Sequence, residues 1–399
     1  MAIFLRTLLA AALAALVALA APAQISISKA AGAKIGVSVD NVRASASPAA
    51  ATVARVLRQD LERSGFFQIV TPDRASVRIG GPVAETGGRV SFQCTALDGA
   101  GRTLLNRAYL QTPQNAVYAA HAAADDLVAA ITGKKSFFMA RLALIGVQGN
   151  TKKVYVADSS MQDVRPITQN NAICLKPRWS PDNAKLVYTS YLRRFPDVYT
   201  YDLATGRIAV AAAYPGVNSG GAISPDGRYM ALILSKDGNP DLYVKDLSSG
   251  ALTRLTATRT AVEGSPSWSP DSSRLVYVSD SSGSPQLYVI SRTGGQPSRL
   301  TNTGSQNVSP DWGKNGLIAY QSLQGQFQIA VIDPATRQSR VITPFDAAYE
   351  DPSWAPDGRH IAAARSVRYQ SSIYLLDTEG DKPVALSTSG DWRAPAWSH

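Results

Sequence analysis

Three histidines and two cysteines are the side chains of this 399-residue sequence best suited to metal binding or nucleophilic chemistry. His121, His360 and His399 lie far apart and form no His-rich metal spacing. Cys94 and Cys174 make no Cys-x-x-Cys pair, so a zinc site is not expected. No Gly-x-Ser-x-Gly segment offers a nucleophile elbow, and no glycine-rich phosphate loop stands at a strand–helix junction. The sequence stops at His399, so no hydrolase domain is expected after the repeats described next. A catalyst needs convergent titratable groups, and the chain is poor in them.

Aspartates recur instead. Asp182, Asp226, Asp271 and Asp357 hold equivalent places in a repeat. Together they would form a ring of carboxylates; singly, each is a turn residue bonding its own backbone two residues on. The turn reading is the expected one. The repeat itself is Pro266-Ser267-Trp268-Ser269-Pro270-Asp271, with variants at Trp179, Ile223, Trp354 and Trp397 and a degenerate copy at Trp312. The anchors at 179, 223, 268, 312, 354 and 397 are 44, 45, 44, 42 and 43 residues apart. A period of roughly 40–50 residues is one four-stranded propeller blade.

Each copy follows one script. After the anchor comes a Ser-Pro-Asp turn, then a β-branched and aromatic strand such as 274–279. A polar hairpin, a second strand (286–290) and a short third one (297–301) follow. Anchor tryptophans are expected as core between blades. Six anchors imply six blades, yet only five have a complete tail. Residues 141–145, 153–157 and 164–168 form the missing tail, in front of the first anchor. Residues 394–398 can supply its inner strand, so the ring closes with one blade built from both ends of the chain. Closure removes long exposed sheet edges.

Four or five residues before the anchors stand Asn218, Glu263, Asn307, Glu350 and Arg393. They are read as equivalent positions on one rim, around the channel mouth. Polar, non-identical residues at a repeat position suit a binding face; ordinary loop solvation is the alternative.

The first 135 residues lack the period. Residues 1–23 read as a signal peptide: Arg6, an Ala/Leu run, and the Ala21-Pro22-Ala23 cleavage site. Gln24, Ile25, Ser26, Ile27 and Ser28 alternate like an edge strand or an extended tail. Residues 24–135 predict a small α/β domain of two helices on a sheet. Its strands fall near 34–39, 68–70, 76–80, 89–96 and 103–111. Ser47-Pro48 starts one helix and Gly65 ends it; Thr112-Pro113 starts the other and Gly133 ends it. The expected fold is therefore an N-terminal α/β domain followed, over 136–399, by an all-β six-bladed β-propeller closed by the C-terminal strand.

The formal charge is +10, scattered without a run of five basic residues. A phosphate-binding stripe would be clustered, so nucleic acid is not an expected partner and an acidic partner is. Export permits a disulfide, but Cys94 and Cys174 fall in different predicted domains, and bridging needs Cα atoms within about 7 Å. Two separate buried thiols are expected.

The chain resembles the TolB family of the Tol–Pal envelope system. The resemblance rests on the signal peptide, the helix at 57–66, the run from His121 to Gly133, and the repeats at 224–227 and 304–307. Glu350 before Pro352 and the ending at 395–398 complete it. It implies a monomeric periplasmic scaffold without catalysis or cofactor, acting in outer-membrane integrity and cell division. It implies that the rim residues bind the peptidoglycan-associated lipoprotein Pal. It further implies that the strand of Gln24 to Ser28 is bound by TolA, or an equivalent inner-membrane protein, or folds back. Two departures stand out: a rim histidine of the family is replaced near Val217-Asn218, and the segment between Gln24 and Lys34 is short. Two other readings stay open. One is a propeller hydrolase or lactonase with Ca²⁺ held by Glu350, Asn218 and Asn307; the other is a peptide or glycan receptor.

Overall fold

In a computed structural model, residues 33–387 and 389–399 are described. The signal peptide and the segment from Gln24 to Ser28 lie outside the described residues.

The N-terminal layer begins with β1 (Ile35–Ala44), α1 (Pro48–Arg63) and β2 (Phe67–Ile69), followed by β3 (Val77–Thr86), β4 (Arg89–Asp98), β5 (Thr103–Gln111) and α2 (Ala116–Thr132). The sheet order is β2-β1-β3-β4-β5, with β1 parallel to both neighbours and the rest antiparallel. Ser47 caps α1 by accepting from the Ala50 amide at 3.0 Å, which stabilises the helix by about 1 kcal/mol. Val53, Val56, Leu57 and Leu61 are its buried stripe. Gly133, at φ 69°, ends α2 as expected. The start of α2 differs from expectation. Pro113–Asn115 forms a separate 3-10 turn, and Thr112 makes no side-chain cap. Both cysteines are buried and free.

Six four-stranded sheets follow. Blade one takes its inner strand from the end of the chain: Trp392–Trp397 pairs antiparallel with Arg141–Gln148, outside which lie Thr151–Asp158 and Val164–Pro166. The inner strands of blades two to six are Cys174–Trp179, Asn218–Ile223, Glu263–Trp268, Asn307–Trp312 and Ala348–Trp354. The expected closure is thus observed. Trp179 of blade two donates its indole N–H to the Ala396 carbonyl at 2.9 Å, and Asn183 exchanges two 2.8 Å bonds with the His399 backbone. The five anchor tryptophans are all at least nine-tenths buried.

The strand directions give the ring two faces. The Ser-Pro-Asp turns lie on one; the hairpins between second and third strands and the inter-blade connections form a rim on the other. The α/β layer docks on the turn face, over blades six and one. Arg359 at a blade-six turn donates to the Gly65 carbonyl and lies over the Phe66 ring. Phe137 of the linker packs tilted against His360 and edge-on against Trp397.

Beside this apolar seam, three helical and blade groups form one buried cluster. His121 of α2 bonds Asp60 of α1 at 2.7 Å and Asp158 of blade one at 3.1 Å, and none of the three is more than 1% exposed. Burial works against a charged ring. The Asp60 carboxylate and the bonds to both aspartates outweigh it and push His121 up to about 10. Burial also opposes the Asp158 anion, but bonds from His121, Ser160 and the Asp163 amide hold it down to about 2. Burial raises Asp60, one of whose oxygens has no partner.

Two predictions test this architecture. Deleting residues 394–399 removes Trp397 and all but the first two residues of blade one's inner strand. Losing one buried tryptophan costs about 3–5 kcal/mol, so a melting temperature lowered by less than about 5 °C would contradict closure. His121→Gln should leave two buried carboxylates without a cation, at a cost of roughly 3–5 kcal/mol. A raised histidine stabilises fully below its unfolded pKa of about 6.5 and loses its effect as pH rises through the folded value. The wild-type advantage in denaturant melts should therefore be large at pH 6 and shrink by pH 9. An advantage that grows with pH would refute the charged latch.

Candidate docking rim and channel mouth

Each inner strand reaches the channel through the same irregularity. Three residues before the anchor, Lys176, Gly220, Ser265, Ser309, Asp351 and Ala394 all have φ between 44° and 82°. The pairing register shifts at this place in every blade, as a β-bulge. Five of the six are not glycine, and the left-handed conformation costs such residues about 1–2 kcal/mol each.

The bulged residues meet across the channel. Lys176 Nζ of blade two donates to Ser265 Oγ and Ser309 Oγ, both at 3.1 Å, and lies 3.8 Å from Asp351. Two residues further in, Arg178 pairs with Asp311 of blade five at 3.0 Å. The other Asp311 oxygen accepts the Trp354 amide at 2.7 Å. Two charged rungs from one blade therefore cross to the opposite blades. Beyond them, on the turn face, lies a cavity of about 340 Å³ lined by the anchor tryptophans and the turn prolines.

The five rim residues expected at one repeat position occupy two. Asn218, Glu263 and Asn307 are five residues before their anchors, where every blade from two to six has a buried residue. Glu350 and Arg393 are four before, where the position is half-buried in all six blades. The physical reason is strand alternation: one residue along a strand reverses the face.

The three buried side chains shape their own loops. Asn218 accepts from the Tyr214 amide and donates to its carbonyl, both at 2.8 Å. Asn307 donates to Gln286 Oε1 and the Thr303 carbonyl at 2.7 Å. Glu263 accepts from Ser279 at 3.2 Å; burial, aided by Asp241, pushes it up to about 7. Glu350 and Arg393 instead face the mouth. Burial and then Asp351 raise the Glu350 carboxyl, against the opposing charges of Arg393 and Lys176. Arg393 is held by Asp391 at 3.0 Å and donates to the Tyr369 carbonyl at 3.1 Å.

The calcium set of Glu350, Asn218 and Asn307 does not assemble, because both carboxamides turn into their own loops. Among the described residues no group of three or more His, Cys, Asp or Glu side chains is placed to hold a metal. The repeated aspartates are turn residues. Asp182, Asp226 and Asp271 each accept from the preceding serine at 2.5 Å. In blade six Ala355 replaces that serine, and Asp357 pairs with His360 at 2.6 Å. Sequence reasoning missed Lys176, Arg178, Asp311 and the His121 cluster. The bulge position shares no residue type, with Lys176 beside Gly220, Ser265, Ser309, Asp351 and Ala394, so the sequence carries only a weak signal for it.

It also missed the apolar character of the rim. Of fifteen exposed large hydrophobic residues among those described, nine lie on this face: Ile173, Tyr191, Leu192, Phe195, Val217, Val262, Phe345, Val367 and Tyr369. The opposite face carries the α/β layer, so the rim is the open one.

The family described as TolB beta propeller domain matches residues 128–399. The chain is 32% identical over 376 residues to the Tol-Pal system protein TolB of Gluconobacter oxydans, covering 87% of this chain and 82% of that one. Its fold is similar to the crystal structure of TolB from Acinetobacter baumannii, with a TM-score of 0.80, 23% identity, and coverage of 92% and 97% of the two chains. It is also similar to a putative TolB from Agrobacterium tumefaciens, with a TM-score of 0.51, 19% identity, and coverage of 64% and 91%. An α/β layer on a six-bladed ring closed by its last strand, with these relatives along most of its length, belongs to the TolB family of Tol–Pal system proteins.

Proposed function

We propose that this chain is a periplasmic scaffold of the Tol–Pal system, exported by residues 1–23 and divided into an α/β domain (24–135) and a propeller (136–399). Its open rim binds the peptidoglycan-associated lipoprotein, and the segment Gln24, Ile25, Ser26, Ile27, Ser28 is taken by TolA or an equivalent inner-membrane protein. The linkage serves outer-membrane integrity and envelope constriction during division, without catalysis or cofactor. The observation that carries this reading is the concentration of exposed hydrophobic residues on the face opposite the α/β layer, since large apolar side chains left exposed together on one face mark an interaction site. No described helix is long and apolar enough to cross a membrane.

Within that face, Glu350 is the half-buried carboxylate that meets the partner and Arg393, already held by Asp391, stands beside it, while Asn218, Glu263 and Asn307 set the loops between which it lies. A half-buried carboxyl already raised by its surroundings gains from an incoming donor or cation. Glu350→Ala should weaken lipoprotein binding tenfold or more, equivalent to about 1.4 kcal/mol per decade, without lowering the melting temperature. Asp271→Ala removes a turn acceptor and should lower stability while leaving affinity alone. Calorimetric titration with a thermal melt separates the two, and wild-type affinity in Glu350→Ala would move the site off this face. Removing residues 24–28 should leave the melt unchanged and abolish TolA binding; retained binding would refute the role of that segment.

A further inference from the structure

The open rim does not present its aromatic residues evenly. Tyr369 is 97% exposed, at the tip of a two-residue hairpin in blade six closed by the Val367–Gln370 pair. Arg368 and Tyr369 have φ of 49° and 69°. Such a turn favours Asn-Gly, because both residues must be left-handed. Here the sequence keeps two bulky side chains in a conformation that disfavours them. Phe345, 50% exposed, has φ 61° itself. Phe195, 70% exposed, follows Arg194 at φ 75° in the blade-two hairpin. The three most exposed aromatic side chains of this face thus stand at or beside strained non-glycine positions. Strain kept where glycine would relieve it points to function.

The tips are also held. The Tyr369 carbonyl accepts from Arg393 at 3.1 Å, and Asp391 clamps that guanidinium. The Phe345 carbonyl accepts from Gln326 at 3.0 Å, and the next residue, Asp346, pairs with Arg365 of the same blade at 2.9 Å. A rigid aromatic that stands in solvent loses little conformational freedom when a partner covers it. On the tip turns themselves the charges without an ion-pair partner among the described residues are basic, Arg194 and Arg368. By contrast Asp197, Asp346, Asp351 and Asp391 each already face a basic side chain.

We infer that Tyr369, with Phe345 on the connection entering the same blade and Phe195 on the far side of blade one, is the set of anchors by which this rim grips its partner, and that the partner's contact surface is a protein face with apolar pockets edged by carboxylates. This rests on the docking role given to the rim above and specifies which residues grip and what they grip. Aromatic anchors in desolvated pockets dominate binding energy, and unpaired rim charges raise the association rate.

The experiment uses the mature full-length chain and the purified soluble domain of the peptidoglycan-associated lipoprotein from the same organism, titrated calorimetrically. Tyr369→Gly removes the anchor and relaxes the turn together. It should weaken binding at least tenfold while leaving the melting temperature equal to or above wild type. Phe195→Ser should weaken binding severalfold, and Arg368→Glu should lower the association rate most at low salt. A Tyr369→Gly protein that binds like wild type overturns the inference, as does one that melts markedly lower, since the tip would then be scaffold. If wild type itself does not bind the lipoprotein domain, the docking role fails and the anchor assignment falls with it. Binding by wild type with unaltered affinity in the variants overturns the anchors alone.

Discussion

The pairing of Trp392–Trp397 with Arg141–Gln148 is the contact on which the rest of the molecule depends. It joins residues some 250 positions apart in sequence, and without it blade one has no inner strand and the ring has two open edges. Ser398 strengthens it from both sides, donating its amide to the Arg141 carbonyl at 2.8 Å and accepting the Arg141 amide at 2.9 Å. A sheet edge inside a ring is costly because its backbone groups have lost water and gained no partner. Closure satisfies them, and it also fixes where everything else stands. The linker rings Phe137 and Phe138 pack beside Trp397, so the α/β layer is seated on the closed blade and its neighbour.

Seating the layer there determines which face of the ring is open. The buried His121 cluster and the Arg359 contacts hold it over the turn face, leaving the hairpin rim opposite uncovered. The cluster is a demanding device. A charged ring between two aspartates, all inaccessible to water, is stable only while both bonds persist, so it resists partial undocking more than apolar contact alone would. The layer and the rim are thereby held at opposite ends of the same blades.

Inside the ring, the six bulges convert a set of blades into a mouth with its own chemistry. Without them the inner strands would alternate regularly past the channel. With them, Lys176 and Asp351 are turned to the axis, and Arg178 with Asp311 forms a second level below. An ammonium and a guanidinium therefore fill the space that a bound cation would need. The mouth left above them carries Glu350 and Arg393, with the exposed aromatic residues on the hairpins and connections around it.

The repeat period by itself determined the blade count, and the mismatch between anchors and tails determined that the ring closes with the C-terminal strand. Both are consequences of chain connectivity, which a sequence carries in full. Local signals were equally legible: Ser47 before Pro48 and the left-handed Gly133 act through their own backbone neighbours. The start of α2 was less so, because a Thr-Pro pair suits a tight turn as well as a helix. The site was legible only in part. Asn218 and Glu350 look alike when counted back from an anchor, yet one residue of difference puts the first inside and the second at the mouth. The pairing of Lys176 with Ser265, Ser309 and Asp351, and of His121 with Asp60 and Asp158, joins elements far apart in the chain. Their partners are chosen by the curvature of the ring and the docking of the layer, so only the tertiary structure could decide them.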